Sequence, residues 1–294
     1  MRVLVFGEAL WDVFPDGKKL GGAPVNFAAH LSRLGAGASI LTAVGGDPLG
    51  RECVREVGAL GIDTAFVSVA DGKRTGVCAV TLANGEPSYE LVADAAYDYI
   101  TAKEGLFGQQ FDALYFGTLA RRSAVSEDTL RGVLANCRFQ EVFCDLNLRQ
   151  NFYTEETIRA CLRSATILKL NRSECETLVN LRIAKPFASY QRLCEALCGA
   201  FSVKIIVITL DSEGAVCYCR DRRELYRSRA VEPVEFVSAV GAGDGFSACF
   251  LYHYMNGVPL QDCVDRANAL GAYIVGFPEA IPQYSGAIRN RAGN

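Results

Sequence analysis

The sequence predicts an α/β fold: a mostly parallel sheet covered by helices on both faces. Three observations carry this. Short apolar, β-branched runs alternate with stretches of helical period along most of the chain. Half of the 294 residues are hydrophobic, enough for a sizeable core. Two stretches, 62–99 and 203–230, depart from the alternation, with successive strand-like runs and no helix pattern between them.

Val3–Phe6 reads as the first strand of a buried sheet; the run is too short for a signal peptide or a membrane span. Ala23–Leu34 reads as a helix with Phe27, Leu31 and Leu34 on one face. Ser39–Val44 is strand-like and Leu49–Leu60 helical. The alternation resumes with Ala113–Phe116 and Val125–Cys137, then Val142–Cys144 and Glu155–Ser164, then Ile167–Leu170 and Ser173–Leu181. Lys204–Thr209 is a strongly apolar strand, and Phe246–Met255 and Val264–Val275 are the last long helices. Within 62–99, Thr75–Leu82 and Ser88–Val92 flank Asn84-Gly85, a hairpin signal, so a small antiparallel piece is expected there. Within 203–230, a turn at Asp211–Gly214 precedes strand-like Ala215–Cys219 and Glu224–Ala230. No internal repeat, low-complexity tract or linker divides the chain.

Lys and Arg number 30 against 33 Asp and Glu, and they are dispersed, which argues against the concentrated basic face of a nucleic-acid binder. The twelve cysteines are scattered, several in apolar runs, such as Cys144, Cys217 and Cys249. The closest spacings, Cys217-x-Cys219 and Cys194-x3-Cys198, lack the second close pair or His cluster of a zinc site. Buried free thiols in a reducing, cytoplasmic setting are expected, with no membrane partner.

Chemistry concentrates at Val240-Gly241-Ala242-Gly243-Asp244-Gly245-Phe246, which opens an apolar helix. Two glycines permit a tight turn whose amides point one way, and the helix start adds free N–H groups, so an anion site results. A carboxylate there would repel phosphate, unless Asp244 reaches a substrate hydroxyl beside it. The bland alternative is a Gly-rich helix start with Asp as its N-terminal charge. Near the start, Gly7-Glu8 and Asp12 follow the first strand, and Gly21-Gly22-Ala23-Pro24-Val25-Asn26 opens the next helix. Asp and Asn suit a polyhydroxylated ligand, though taken alone the segment is read first as plain turn chemistry, with Pro24 in a first helical turn.

Gly21-Gly22-Ala23-Pro24-Val25-Asn26 and Gly241-Ala242-Gly243-Asp244 together resemble the two signatures of the ribokinase-like (PfkB) carbohydrate kinases. Gly45-Gly46-Asp47-x-x-Gly50, Asp145-x-Asn147-x-Arg149 and Asn171-x-x-Glu174 resemble further family segments in the same order. Thr209 and Gly214 sit where its Thr-x-Gly-x-x-Gly lies. Gly7-Glu8-x-Leu10-x-Asp12 and Ala95-Ala96-Tyr97-Asp98 look most like bacterial fructokinases.

The resemblance implies a three-layer, Rossmann-like (ribokinase-like) domain over 1–294, with a small β-sheet lid from about 13–20 and 63–98 that pairs into a homodimer. It implies ATP as phosphoryl donor with Mg2+, and D-fructose as acceptor at its primary hydroxyl. Rival acceptors are another sugar, a sugar acid such as 2-keto-3-deoxygluconate, or a nucleoside; a silent sugar-binding regulator is the rival from another class. Asp244 is implied as the base, with Gly241, Ala242 and Gly243 as the anion hole. Asp12, Gly21, Gly22, Asn26 and Arg149 are implied at the sugar, and Lys169, Asn171, Thr209, Gly214, Gly241, Gly243 and Asn268 at the nucleotide. Glu174 is implied near the metal through water. Three departures stand out. Ser238 replaces an Asp that helps hold potassium, Asp211 replaces a Gly of the nucleotide turn, and Glu279-Ala280 replaces a Gly-Ala before Pro282.

Overall fold

A computed structural model describes all residues except 16, 84–85, 230, 232–234, 287 and 289–294. In chain order the strands are β1 (Arg2–Phe6), β2 (Leu10–Phe14), β3 (Gly17–Gly21), β4 (Gly37–Gly45), β5 (Val67–Ala70), β6 (Gly76–Ala83), β7 (Glu86–Leu91), β8 (Gln110–Phe116), β9 (Arg138–Asp145), β10 (Ile167–Asn171), β11 (Ile205–Thr209), β12 (Ala215–Cys219) and β13 (Glu224–Ser228). The helices are α1 (Ala23–Arg33), α2 (Pro48–Ala59), α3 (Ala124–Asn136), α4 (Glu155–Ser164), α5 (Arg172–Asn180), α6 (Tyr190–Ala200), α7 (Ala242–Met255) and α8 (Leu260–Ile274).

Nine strands form one sheet in the order β13-β12-β11-β10-β9-β8-β1-β4-β5. Every neighbouring pair from β10–β11 through β4–β5 is parallel, whereas β12 and β13 run antiparallel at one edge. Alternate residues of β1 show why the sheet is covered twice. Val3 and Val5 join a core with residues of α1, α2, α7 and α8, while Leu4 and Phe6 join a second core with residues of α3 to α6. From β1 the chain first builds outward through β4 and β5, then returns to build through β8. The strand order therefore switches direction at β1, and a crevice at the carboxyl ends of β1, β8 and β9 is where such sheets bind ligands.

A second sheet has the order β3-β2-β6-β7. It is mixed rather than antiparallel, since β2 and β6 pair parallel. It is also larger than expected at its start, because Leu10–Phe14 is already one of its strands. Val67–Ala70, expected to belong with it, instead extends the edge of the large sheet beside β4. The Asn84-Gly85 turn lies outside the described residues; β6 and β7 pair antiparallel down to Ala83 opposite Glu86. Trp11 anchors this sheet on the body: its indole N–H donates to the Leu49 carbonyl at 3.1 Å, and Lys18 lies over its ring. Gly45-Gly46-Asp47-x-x-Gly50 also works at this junction. The Asp47 carboxylate caps α2 through the Gly50 amide at 2.8 Å and accepts from the Thr75 amide at 2.8 Å and hydroxyl at 2.6 Å, just before β6.

Most of the expected elements match within a few residues. Helix α6 was not anticipated. Segment 203–230 is no separate piece, since β12 and β13 continue the large sheet. All twelve cysteines are buried free thiols.

Candidate active site

Helix α7 starts at Gly241, whose φ of +81° is left-handed. A β-carbon at Gly241 would lie 2.5 Å from the Ala280 carbonyl oxygen and 2.6 Å from its α-carbon, so both backbone angle and space require glycine. At Gly243 a β-carbon would approach the Lys169 ammonium at 3.4 Å. The anion turn is thus pressed between a backbone wall and a lysine.

Asp244, in the first turn of α7, is 8% exposed, and its Oδ2 accepts from Asn26 Nδ2 at 2.8 Å. Asn26 lies in the first turn of α1, so the two sequence signatures meet side chain to side chain. Asn26 Oδ1 is buried without a partner. Burial pushes the Asp244 pKa up to about 6, and Asp145 adds to the rise; the Asn26 amide, Arg149 and Lys169 oppose it. A helix start favours an ionised carboxylate, but at Asp244 desolvation outweighs that dipole.

Lys169 on β10 is 5% exposed and stands 3.1 Å from Asp145 Oδ1, an ion pair off ideal hydrogen-bond alignment. The other Asp145 oxygen accepts from the Ser247 hydroxyl of α7 at 2.9 Å. Burial disfavours the lysine's charge, but Asp145, Glu174 and Asp244 together overcome it and raise its pKa. Asn171 and Glu174 form a capping box at α5. Asn171 Oδ1 accepts the Glu174 amide at 2.8 Å, and Glu174 Oε2 accepts the Asn171 amide at 2.8 Å. Glu174 Oε1 accepts the Leu148 amide at 2.9 Å. Both Glu174 oxygens therefore accept a backbone amide, one each.

Arg149 exerts its charge on three acids, Glu8, Asp12 and Asp244. Burial raises the Glu8 pKa to about 7 and the Asp12 pKa to about 6, and Arg149 opposes both shifts as it opposes that of Asp244. Asp12 is not a residue just past the first strand. It sits in β2, paired with Lys19 and Cys78, and its carboxylate covers Gly21, where a side chain would collide with it. Gly22 has a φ of +106°, and a β-carbon there would lie 2.6 Å from the Glu8 carbonyl oxygen. Arg149 is exposed in the loop after β9.

The nucleotide-side residues follow along the sheet edge. The Thr209 hydroxyl, at the end of β11, donates to the Leu170 carbonyl at 3.4 Å. Asp211 adopts a φ of +53° and Gly214 one of +92°, so Asp211 keeps a left-handed conformation where the family has Gly. Asn268 on α8 is committed elsewhere: its Nδ2 donates to the Arg229 carbonyl at 2.7 Å and the Ser228 hydroxyl at 3.2 Å. The Ser238 hydroxyl accepts the Val240 amide at 3.2 Å, bracing the approach to Gly241.

Sequence reasoning passed over Glu8, Asp145 and Ser247 as site residues. Glu8 had a signal, being the first acid past β1; nothing in the local sequence marked Ser247. Glu8 gives a stability prediction. In the folded protein its pKa rises from 4.5 to about 7, so the folded chain keeps a proton that the unfolded chain has released. That contribution is complete below the unfolded pKa and is lost as pH rises through the folded one. Glu8→Gln, which cannot ionise, is expected to stabilise the ligand-free protein by about 2 kcal/mol at pH 8 and by much less at pH 5. Urea unfolding at both pH values checks this; an equal change at both would remove Glu8 ionisation as the cause.

The whole chain compares well with known proteins. Residues 6–284 match the model of the pfkB family carbohydrate kinases. A fructokinase of Salmonella typhimurium is 27% identical over 294 residues, covering 92% of each chain. A 5-dehydro-2-deoxygluconokinase of Clostridium botulinum (strain Eklund 17B / Type B) is 26% identical over 270 residues, covering 88% of this chain and 78% of the relative. Among solved structures, aminoimidazole riboside kinase from Salmonella enterica, in complex with aminoimidazole riboside and an ATP analogue, superposes with a TM-score of 0.81. It is 20% identical and covers 99% of this chain and 100% of its own, so it supports the fold. With the family matched over nearly its full length, and with Asn26 and Asp244 paired at the head of α7, the chain belongs to the pfkB family of carbohydrate kinases.

Proposed function

We propose that the protein transfers the terminal phosphoryl group of ATP to the primary hydroxyl of D-fructose, giving fructose 6-phosphate and ADP. The Asn26–Asp244 pair at the head of α7 carries this reading. Asp244 accepts the proton of the attacking hydroxyl as the new O–P bond forms and the bond to the ADP oxygen breaks. Asn26 keeps the carboxylate aimed. The amides from Ala242 to Asp244 and the Lys169 ammonium face the charge that develops on the phosphoryl group. Asp12, Gly21, Gly22 and Arg149 hold the sugar hydroxyls, and Thr209 and Gly214 lie toward the nucleotide.

A divalent ion, Mg2+ in this reading, supplies neutralisation of the ATP phosphates. Each Glu174 oxygen already accepts one backbone amide, and among the described residues no group of three His, Cys, Asp or Glu could cage an ion. That fits an ion arriving on the phosphates with its own waters, as Mg2+ commonly does. A neutral Ser238 attracts a monovalent cation far less than a carboxylate would, so little activation by potassium is expected.

Charge favours a neutral acceptor over a sugar acid. Arg149 offsets the raised pKa values of Glu8, Asp12 and Asp244 only in part, so the acceptor end carries more acid than base. A further carboxylate entering there meets like charge. An ATP-turnover panel of fructose, 2-keto-3-deoxygluconate and a nucleoside, run in potassium and in sodium, tests this. Fructose is expected to exceed the acid by at least ~10-fold in kcat/KM, about the effect of one poorly compensated charge. Better turnover of the acid would reassign the acceptor and leave the family standing.

A further inference from the structure

Helix α1 carries a second polar side chain on the face that bears Asn26. His30, one turn further, is fully buried. Its Nε2 lies 3.0 Å from the Ala280 carbonyl oxygen and its Nδ1 2.6 Å from the Tyr284 hydroxyl. A carbonyl only accepts, so Nε2 carries the proton and Nδ1 accepts from the tyrosine. The Ala280 carbonyl thereby fixes the tautomer, and the Tyr284 hydroxyl, which can donate, holds the other side of the ring. Burial pushes the imidazole pKa down to about 4, Arg33 adds to the fall, and Ala280 opposes it, so the ring is neutral at working pH.

Ala280 is the wall behind the anion turn, the residue whose carbonyl and α-carbon leave no room for a β-carbon at Gly241. Other side chains grip the same strap further along. Arg33 donates to the Pro282 carbonyl, and the Tyr273 hydroxyl donates to the Gln283 carbonyl at 2.7 Å. His30 grips it at the residue that touches the turn. Gly245, the next turn of α7, also lies against His30: a β-carbon there would sit 3.3 Å from Nε2. One helix thus reaches both parts of the transfer apparatus, Asn26 to the base and His30 to the support of the anion hole.

We propose that His30 is a positioning residue for phosphoryl transfer, setting the Gly241–Asp244 turn through its hydrogen bond to the Ala280 carbonyl. This rests on the kinase reading above, in which that turn holds the transferring phosphate. His30→Phe keeps a ring of similar size and removes both hydrogen bonds. Turnover is expected to fall about tenfold with the sugar KM within about threefold, on the scale of one buried hydrogen bond. Calorimetry should show the preference for ATP over AMP shrinking by about the same factor, because only ATP carries the phosphate that the turn receives. Tyr284→Phe removes the hydrogen bond that holds Nδ1 while sparing the imidazole and its bond to Ala280, and should move the same two quantities by about threefold. If His30→Phe does not fold, Tyr284→Phe decides alone. Turnover and ATP-over-AMP preference within twofold of wild type, or equal weakening of ATP, AMP and sugar, would overturn the proposal. A wild type that phosphorylates no sugar would sink the kinase reading instead, and the ATP-over-AMP ratio would still test His30.

Discussion

Asp244→Asn is expected to lower turnover at least ~10²-fold, the lower end for removal of a general base. The substitution keeps size and shape, and its side-chain oxygen can still accept from Asn26 Nδ2, now 2.8 Å from the carboxylate. The fold should therefore survive, and ATP and sugar binding should change far less than turnover. The pH dependence carries a second mark. With the Asp244 pKa pushed up to about 6, the residue holds a proton below that pH and cannot take another from the sugar. In the wild type kcat/KM should rise as pH passes through about 6, and this limb should disappear in the variant. Glu8 and Asp12 titrate beside it, so the limb belongs to the group of acids rather than to one of them. Steady-state kinetics from pH 5 to 8, with calorimetric binding on the same preparations, checks both. Turnover within a few-fold of wild type would remove Asp244 from the role of base.

Asp12→Ala is expected to raise the sugar KM about ten- to a hundredfold, the value of a lost charged hydrogen bond, with the KM for ATP within a few-fold. The reason differs from the one its sequence position suggested. Asp12 projects from β2, a strand of the small sheet, and its carboxylate rests over Gly21 at the entry to α1. Removing it takes a charged acceptor from the sugar side and leaves Arg149 with less acid to face. An unchanged sugar KM would return Asp12 to a packing role against Gly21.

The large sheet was legible because its strands are buried on both faces and read as apolar runs, and its helices are mostly amphipathic. Helix α6 was missed although Leu193, Cys194, Leu197 and Cys198 recur at helical spacing, because the two cysteines were weighed as a ligand pair rather than as part of an apolar stripe. Leu10–Phe14 hid because a carboxylate at its centre looked like turn chemistry, when the small sheet turns that side toward the site. Val67–Ala70 was assigned by its neighbours in sequence, although its partner is β4. At the site, the turn glycines and Asp244 were readable from local pattern. The raised pKa of Asp244 was not, since burial by distant segments sets it. Asn268 was placed by resemblance, and in the structure its Nδ2 donates to the Ser228 hydroxyl of β13 and to the Arg229 carbonyl.

The hydrogen bond between Asn26 and Asp244 joins residues 218 positions apart. During synthesis the face of α1 that bears Asn26 and His30 is made early, and the helix that packs against it, α7, is made last but one. Until then that face has no permanent neighbour on its α7 side, and the contact that ends the wait is among the most non-local in the chain. Such pairing slows folding and prolongs the exposure of apolar surface. A nascent or shortened chain lacking α7 would therefore offer chaperones a half-covered sheet, and a copy becomes competent for transfer only when nearly all of it exists. The signature that makes the active site easy to read thus also makes its assembly wait on the last quarter of the chain.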